Sequence, residues 1–391
     1  MRNVLFLLLF SLSLNEAVSQ VSLGNGNHVI ELSGSVSAYY NARFLKPEET
    51  DRKKNMFVLR DAQIQLEGRY KNLVAYEIQF DLADIASADN GNADAENPGI
   101  LDAFVMIRAV PHLDITAGYA KVPYGRSSQT PFIYSPYWQR AELLRGGLFS
   151  RRDVGLTLST SLWKQRILAY AGIYSGMGEI SLRGENDPSG SPEFIGRLEV
   201  AYPSRFRHRD VDTRHTPIPM VVAGVNARYT DRTQPAGSVL PAFAAGEYGL
   251  KTIDGRKLTY GIDVAFQYMG FSAQFEMHRM RLQPTSPAHV LFQGIAAEKH
   301  KGYVLAGGYV AQLNYHIKPI DLTTSVRFEE LNLNDLAIGL YRAGSAALSY
   351  TVAKVKTTVK VQYIHVFEEE ESINRLKWND QLRIGIVYVF K

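Results

Sequence analysis

The chain contains no cysteine. That excludes a disulfide scaffold, a thiolate metal site and a cysteine nucleophile. Beyond its first residues it also has no apolar run approaching the roughly 20 residues that a membrane helix needs. Tryptophan is scarce, with 3 residues against 22 tyrosines, and neither sign of charge dominates, the formal net charge being +4. So mild a balance leaves no footprint for nucleic acid, and no nucleic-acid partner is expected. Catalytic signatures are missing as well. The 9 histidines include no H-E-x-x-H, and there is no G-x-S-x-G and no phosphate-cradling G-x-x-x-x-G-K. The expectation is a protein that is not an enzyme and holds neither cofactor nor metal.

What is present begins with an export signal. Arg2 precedes an apolar stretch from Val4 to Leu14, and Ala17-Val18-Ser19 supplies the small residues of a cleavage site. Residues 1–19 therefore read as a signal peptide, with the mature chain starting at Gln20. The remaining feature is a two-residue rhythm. Val74, Tyr76, Ile78, Phe80 and Leu82 alternate with Ala75, Glu77, Gln79, Asp81 and Ala83, and Leu382, Ile384, Ile386, Tyr388 and Phe390 alternate with Gln381, Arg383 and Gly385. Side chains of a strand point to opposite faces in turn, so each segment has one apolar and one polar wall. An exported chain built this way, without helices to hold it in lipid, reads as a closed barrel with its apolar wall outward. Tyrosine suits the interfacial girdles of such a barrel, though it suits any antiparallel sheet.

Short turns, near 69–72, 110–113, 161–165, 269–271, 316–319 and 351–354, alternate with longer connections near 45–54, 84–99, 123–150, 176–191, 231–256, 284–301, 331–336 and 368–377. One connection breaks the rule: 204–217 falls where a short turn belongs, yet is long and basic. The segments between these breaks number about sixteen, an even count in the range of water-filled barrels. The fold expected is all-β, a transmembrane antiparallel β-barrel occupying residues 20–391 as one domain.

Phase assigns the walls. Val154, Leu156 and Leu158, Tyr260, Ile262, Val264, Phe266 and Tyr268, and Leu322, Thr324, Val326 and Phe328 face lipid. Facing inward are Thr323, Ser325, Arg327 and Glu329, Lys356, Thr358, Lys360 and Gln362, Asn226 and Arg228, Arg197 and Glu199, and Arg383. The inward cations also include Arg43 and Arg108, balanced by Asp61, Glu67, Glu77, Asp81, Asp153, Asp263 and Glu276. An Arg or Lys on the lipid face costs about 2–4 kcal/mol at mid-membrane, so these charges must turn inward. Arg60 and Arg342 fall out of phase, which points to the membrane interface or to a bulge that shifts register.

Gly118-Tyr119-Ala120-Lys121-Val122-Pro123-Tyr124-Gly125 resembles the G-x-F-K-x-P-F-G strand end of the phosphate-selective porin O and P family. Arg152-Asp153-Val154-Gly155-Leu156 resembles its R-D-[VI]-G-[VL] strand start, and Ala169-Tyr170-Ala171-Gly172-Ile173-Tyr174-Ser175-Gly176 its Y-x-x-G-[VI]-[FY]-N-G strand. Gly307-Gly308-Tyr309-Val310, and Val326-Arg327-Phe328-Glu329 with Asn334-Asp335, are similar to its later G-G-Y and R-[FY]-E…N-D segments. Tyr119 and Tyr124 stand where the family favours phenylalanine, and Lys391 follows the aromatic on which such barrels usually end. The resemblance implies a sixteen-stranded outer-membrane porin of a Gram-negative bacterium, a homotrimer in outer-membrane lipid. It also implies that a third loop, here 122–150, folds inward to narrow the pore, with basic residues drawing small anions such as phosphate through.

The candidates for that anion path are Arg126, Arg140, Arg145, Arg151 and Arg152 on and beside the loop, and Arg197, Arg228, Arg327, Lys356, Lys360 and Arg383 on the wall. Guanidinium stays charged and forks onto phosphate oxygens, and a row of weak sites conducts where one deep site would trap. The same arginines could instead be pinned to carboxylates of the wall. The wall mixes both signs, which suits a general or sugar-permeable porin equally. A barrel that binds or scaffolds without conducting is the third reading. The oxygen-rich run 84–97 lacks calcium-loop spacing and reads as an acidic surface loop, as does 368–371. The patch Arg205, Arg207, His208, Arg209, Arg214 and His215 reads as a periplasmic turn contact or as plain solvation.

Overall fold

Each alternating segment forms a strand that pairs antiparallel with its neighbour in sequence. The computed structural model describes residues 20–23, 27–44, 55–83, 99–145, 148–178, 189–233, 254–285, 301–332, 335–336, 340–352, 355–367 and 380–390. The segment 1–19 expected to be a signal peptide and the acidic runs 84–97 and 368–371 lie outside these residues. A short strand β1 (Gln20–Leu23) is followed by β2 (His28–Phe44), β3 (Asn55–Tyr70), β4 (Val74–Asp81), β5 (Ile100–Val110), β6 (Leu113–Lys121), β7 (Arg152–Leu162), β8 (Ile167–Tyr174) and β9 (Glu193–Tyr202). Then come β10 (Met220–Arg232), β11 (Gly255–Tyr268), β12 (Phe271–Pro284), β13 (Val304–Ile317), β14 (Leu322–Asn332), β15 (Tyr341–Val352), β16 (Thr357–Phe367) and β17 (Asp380–Phe390).

The seam pairs β17 with β2, from Asp380 against Phe44 to Phe390 against Gly34, so β2–β17 close as a ring of sixteen strands. β1 folds back on the start of β2, Gln20 lying against Glu31. Closure leaves no strand edge to be satisfied by lipid, which is why a sheet can cross a membrane only as a ring. No helix of the described residues is long and apolar enough to cross. Tight turns at one end and longer connections at the other follow the expected alternation. One turn is made by Met269 and Gly270, both at positive φ, which matches the right-handed twist of the strands it joins.

The outward face is apolar. Val154, Leu156, Leu158, Ile262, Val264 and Val326 all stand exposed in the isolated chain, a contiguous surface that requires lipid or protein cover. Tyr70, Tyr202, Tyr268, Tyr315, Tyr350 and Tyr388 project outward at the turn end and form a girdle. At the loop end the outward face turns charged: Arg256 pairs with Asp231 at 3.0 Å, and Arg342 with Glu330 at 2.8 Å. Here too the inner face turns apolar. In β12, Arg279 and Arg281 point out while Met280 and Leu282 are buried.

The two residues out of phase have different causes. Ser37 pairs with Asp61 and Ala38 with Leu59, so Arg60 is the extra residue of a bulge, and both Arg60 and Asp61 are buried. Arg342 keeps the outward phase and sits in the charged rim. One wall assignment needs correction. Lys356 is exposed, at φ 49°, in the turn before β16, because the strand begins one residue later and parity assigns a face only within a strand.

Candidate functional site

The segment between β6 and β7 leaves the wall at Val122, whose N–H donates to the Arg151 carbonyl at 2.8 Å and so pins the two roots together. Gly125, at φ 72°, follows. A Cβ there would stand 2.2 Å from Glu276 Oε1, so only glycine lets the backbone pass this carboxylate of β12. Glu276 then accepts the Ser127 N–H at 2.9 Å and lies 2.7 Å from His278 Nε2. The other nitrogen of His278 faces the Tyr124 hydroxyl at 3.1 Å. A single helical turn α1 (Arg126–Gln129) comes next.

From there the segment meets inward-turned side chains of strands far from its own roots. The Trp138 N–H donates to Gln362 Oε1 at 2.6 Å, the Glu142 N–H to Glu329 Oε2 at 2.5 Å, and Ser349 Oγ to the Pro136 carbonyl at 3.2 Å. Its apolar residues Leu143, Leu144, Leu148 and Phe149 belong to one buried cluster with Met280, Val310, Leu331, Ala343 and Ile364 of the wall. The polarity inversion at the loop end of β12–β16 is thus matched by apolar residues of this segment.

The candidate cations divide by partner. Arg152 forks onto Asp102 (3.1 and 2.9 Å), and Arg197 onto Asp263 (2.5 and 2.8 Å) with Glu199 at 3.0 Å. Arg228 pairs with Glu193 and donates to the Ser150 carbonyl at 2.6 Å. Arg145 donates to Glu142 at 2.7 Å. Arg327 donates to the Gln139 carbonyl at 2.9 Å, with Glu329 at 3.3 Å. Arg140 braces its own segment, donating to the carbonyls of Ser127 (2.6 Å) and Thr130 (2.8 Å). Arg151 is buried at the root.

Three of the buried candidates donate to neutral oxygens. Arg126 donates to the Arg207 carbonyl at 3.2 Å and lies over the Phe206 ring. Lys360 donates to the Ser135 carbonyl at 2.6 Å. Arg383 donates to Gln139 Oε1 (2.5 Å), Gln381 Oε1 (2.8 Å) and Asn41 Oδ1 (3.3 Å). Burial draws Arg126 down to about 10, with Glu199 and Asp263 acting the other way, so it stays charged at neutral pH. Sequence reasoning missed Asp102, Glu193 and Lys257, the last standing 3.3 Å from Glu193. Parity could have found them: Lys257 shares its face with Asp263, Glu193 with Arg197, and Asp102 with Arg108.

Of the two expectations for the long connection 203–219 between β9 and β10, contact and plain solvation, the structure shows contact, although Arg207 and Arg214 are exposed. Phe206, Asp210, Val211 and Asp212 are buried, and Arg205 and His208 each reach Glu199 at 3.2 Å. The basic patch therefore spends part of its charge on a wall carboxylate. Burial holds the His208 imidazole down at about 4, against Glu199, which favours the charged ring. Because that lies below its ordinary value of 6.5, protonation favours the undocked state. The docking is at full strength above pH 6.5 and weakens as the pH falls from there to about 4. The urea midpoint of the barrel should accordingly drop between about pH 7 and pH 5, and drop less in His208→Gln; equal drops would remove His208 as the cause.

Residues 31–175 match the family described as phosphate-selective porin O and P. No curated protein sequence matches the chain. Among solved structures, an anion-selective porin from Comamonas acidovorans is similar at 9% identity and TM-score 0.58, over 93% of this chain and 100% of that one. The outer membrane channel DcaP of Acinetobacter baumannii is similar at 12% identity and TM-score 0.57, over 94% and 99%. OmpT of Vibrio cholerae, in its trimer form, is similar at 11% identity and TM-score 0.54, over 93% and 99%. Identities this low speak for the fold, and family and fold together point to a channel in the outer membrane rather than an enzyme. Residues 31–175 are thus similar to the phosphate-selective porin O and P family, and the chain as a whole has the barrel fold of outer-membrane porins.

Proposed function

We propose that the protein passes small hydrophilic solutes by passive diffusion and favours anions such as phosphate. The segment 122–150 folds into the barrel and forms its narrowest part. The observation that carries the anion preference is the trio Arg126, Lys360 and Arg383, whose hydrogen bonds go to carbonyls and amides and not to carboxylates. No carboxylate hydrogen-bonds to them among the described residues, and low-dielectric walls focus the field of such cations on a passing ion. Like the trimer form of the Vibrio cholerae relative, it assembles as three copies.

A general porin without ion preference is the second reading. It is favoured by the pairing of Arg152, Arg197 and Arg228 with Asp102, Asp263 and Glu193, which cancels charge where the sequence alone suggested an arginine path. Reversal potentials across planar bilayers in a potassium chloride gradient separate the two. Wild type should prefer chloride, and Lys360→Gln with Arg383→Gln should lower the chloride-to-potassium permeability ratio about five-fold, equivalent to about 1 kcal/mol of lost field. A wild type that prefers potassium overturns the anion reading. Arg152→Ala is a poorer probe, because it uncovers Asp102 as well as removing a cation.

A further inference from the structure

We infer that the water path runs down one side of the barrel, along the inner faces of β3–β7, because the connection 203–219 fills the other side from the turn end. The glutamine and glutamate residues of β3 and β4 are then the last wall a solute touches, and they help set which solutes pass. This placement rests on the channel reading above and adds to it the residues that line the way out.

Two observations carry it. The first is where the connection goes. Its Asp212 N–H donates to Ser272 Oγ at 2.7 Å, its Arg209 carbonyl accepts from Gln274 at 3.0 Å, and its Asp210 carbonyl accepts from Asn314 at 2.9 Å. All three partners are inward-turned residues of β12 and β13. The connection also meets the segment 122–150: Arg126 donates to the Arg207 carbonyl, and the Arg209 guanidinium stands 5.0 Å over the Tyr134 ring. Two pieces of chain entering from opposite ends therefore touch, and they do so against the β9–β14 wall.

The second observation is an asymmetry of cover at one height. Gln274 and Ser325 lie as far from their turns as Glu77 and Glu67 lie from theirs. The first two are buried, at 8% and 4% exposed, while Glu67 is exposed and Glu77 only half-buried. The uncovered side is a continuous polar surface. Gln65 donates to Glu67 (2.8 Å) and to Glu77 (2.9 Å), and Gln79 donates to Gln63 (3.0 Å). Amides replace hydration for neutral polar solutes, and the two carboxylates oppose anions that the cations nearer the loop end have drawn in. Glu67 and Glu77 thus moderate the anion preference instead of creating it.

The chain's lack of cysteine makes single-cysteine variants unambiguous reporters. Gln65→Cys, Gln79→Cys, Gln274→Cys and Ser325→Cys of the full chain in lipid vesicles would be treated with a small anionic methanethiosulfonate and read by mass. The first two should react at least about ten-fold faster than the last two, since protection follows local cover. Comparable rates at all four overturn the inference. Replacing 205–216 with a short Asn-Gly turn in the Gln274→Cys background should bring its rate up to that of Gln65→Cys; continued protection would show that something else covers the wall. Labelling needs no conductance. A wild type that keeps the labelling pattern but passes no current defeats the channel reading and leaves the placement of the water-filled side standing.

Discussion

Glu193→Gln should destabilise the barrel more than Arg228→Met, and both by several kcal/mol. Glu193 sits at the centre of a buried charge cluster: Arg228 pairs with one oxygen and Lys257 stands 3.3 Å from the other. Removing one member of a buried pair costs about 3–5 kcal/mol, because the partner is left charged and dry. Arg228→Met falls toward the lower end, since Lys257 still compensates the carboxylate. Glu193→Gln leaves two cations facing each other at the root of the segment 122–150, where Arg228 also holds the Ser150 carbonyl and lies over the Tyr124 and Phe149 rings. Urea unfolding in lipid vesicles measures both. The reverse ranking would mean that the charge cluster is not what anchors this root.

Ile262→Arg should cost about 2–4 kcal/mol, and Tyr268→Arg about 0–1 kcal/mol, in the same assay. Both residues face outward on β11 and are exposed in the isolated chain. Ile262 lies in the middle of the apolar belt and Tyr268 in the girdle at the turn end, so the prediction tests depth and not exposure. A water-soluble sheet with a chance apolar face would show no such gradient. Equal costs at the two positions would therefore count against the membrane belt itself.

Strand parity carried most of the fold. Ile262 against Asp263, or Val326 against Arg327, can be assigned to walls from the sequence because lipid and water impose opposite demands on successive residues. Parity failed where its premise failed. Arg60 sits on a bulge, which adds a residue without a partner. Lys356 lies one residue outside its strand. At the loop end of β12, lipid gives way to solvent and the inner face meets chain instead of water, so Arg279 and Met280 exchange their usual sides.

The candidate site was less legible for a different reason. Counting arginines says where charge is, but an anion responds to charge that no carboxylate cancels. That depends on pairings across the barrel, such as Arg197 with Asp263, or Arg152 with Asp102. Nothing in the local sequence distinguishes Arg383, held by amide oxygens, from Arg197, held by carboxylates. The basic patch around Arg205 and His208 left contact and solvation open for the same reason, because Glu199 lies on the strand before it but is reached only when the connection turns back.

The seam between β17 and β2 has a bearing on biogenesis. The strand that seals the ring is the last of the described residues and its mate is among the first, so no shorter nascent product can hide all its amides. Until β17 pairs with β2, two raw borders stay open to any sticky neighbour. The exposure of those borders before closure is therefore a demand of topology, set by which two strands meet and independent of which solute the finished pore admits.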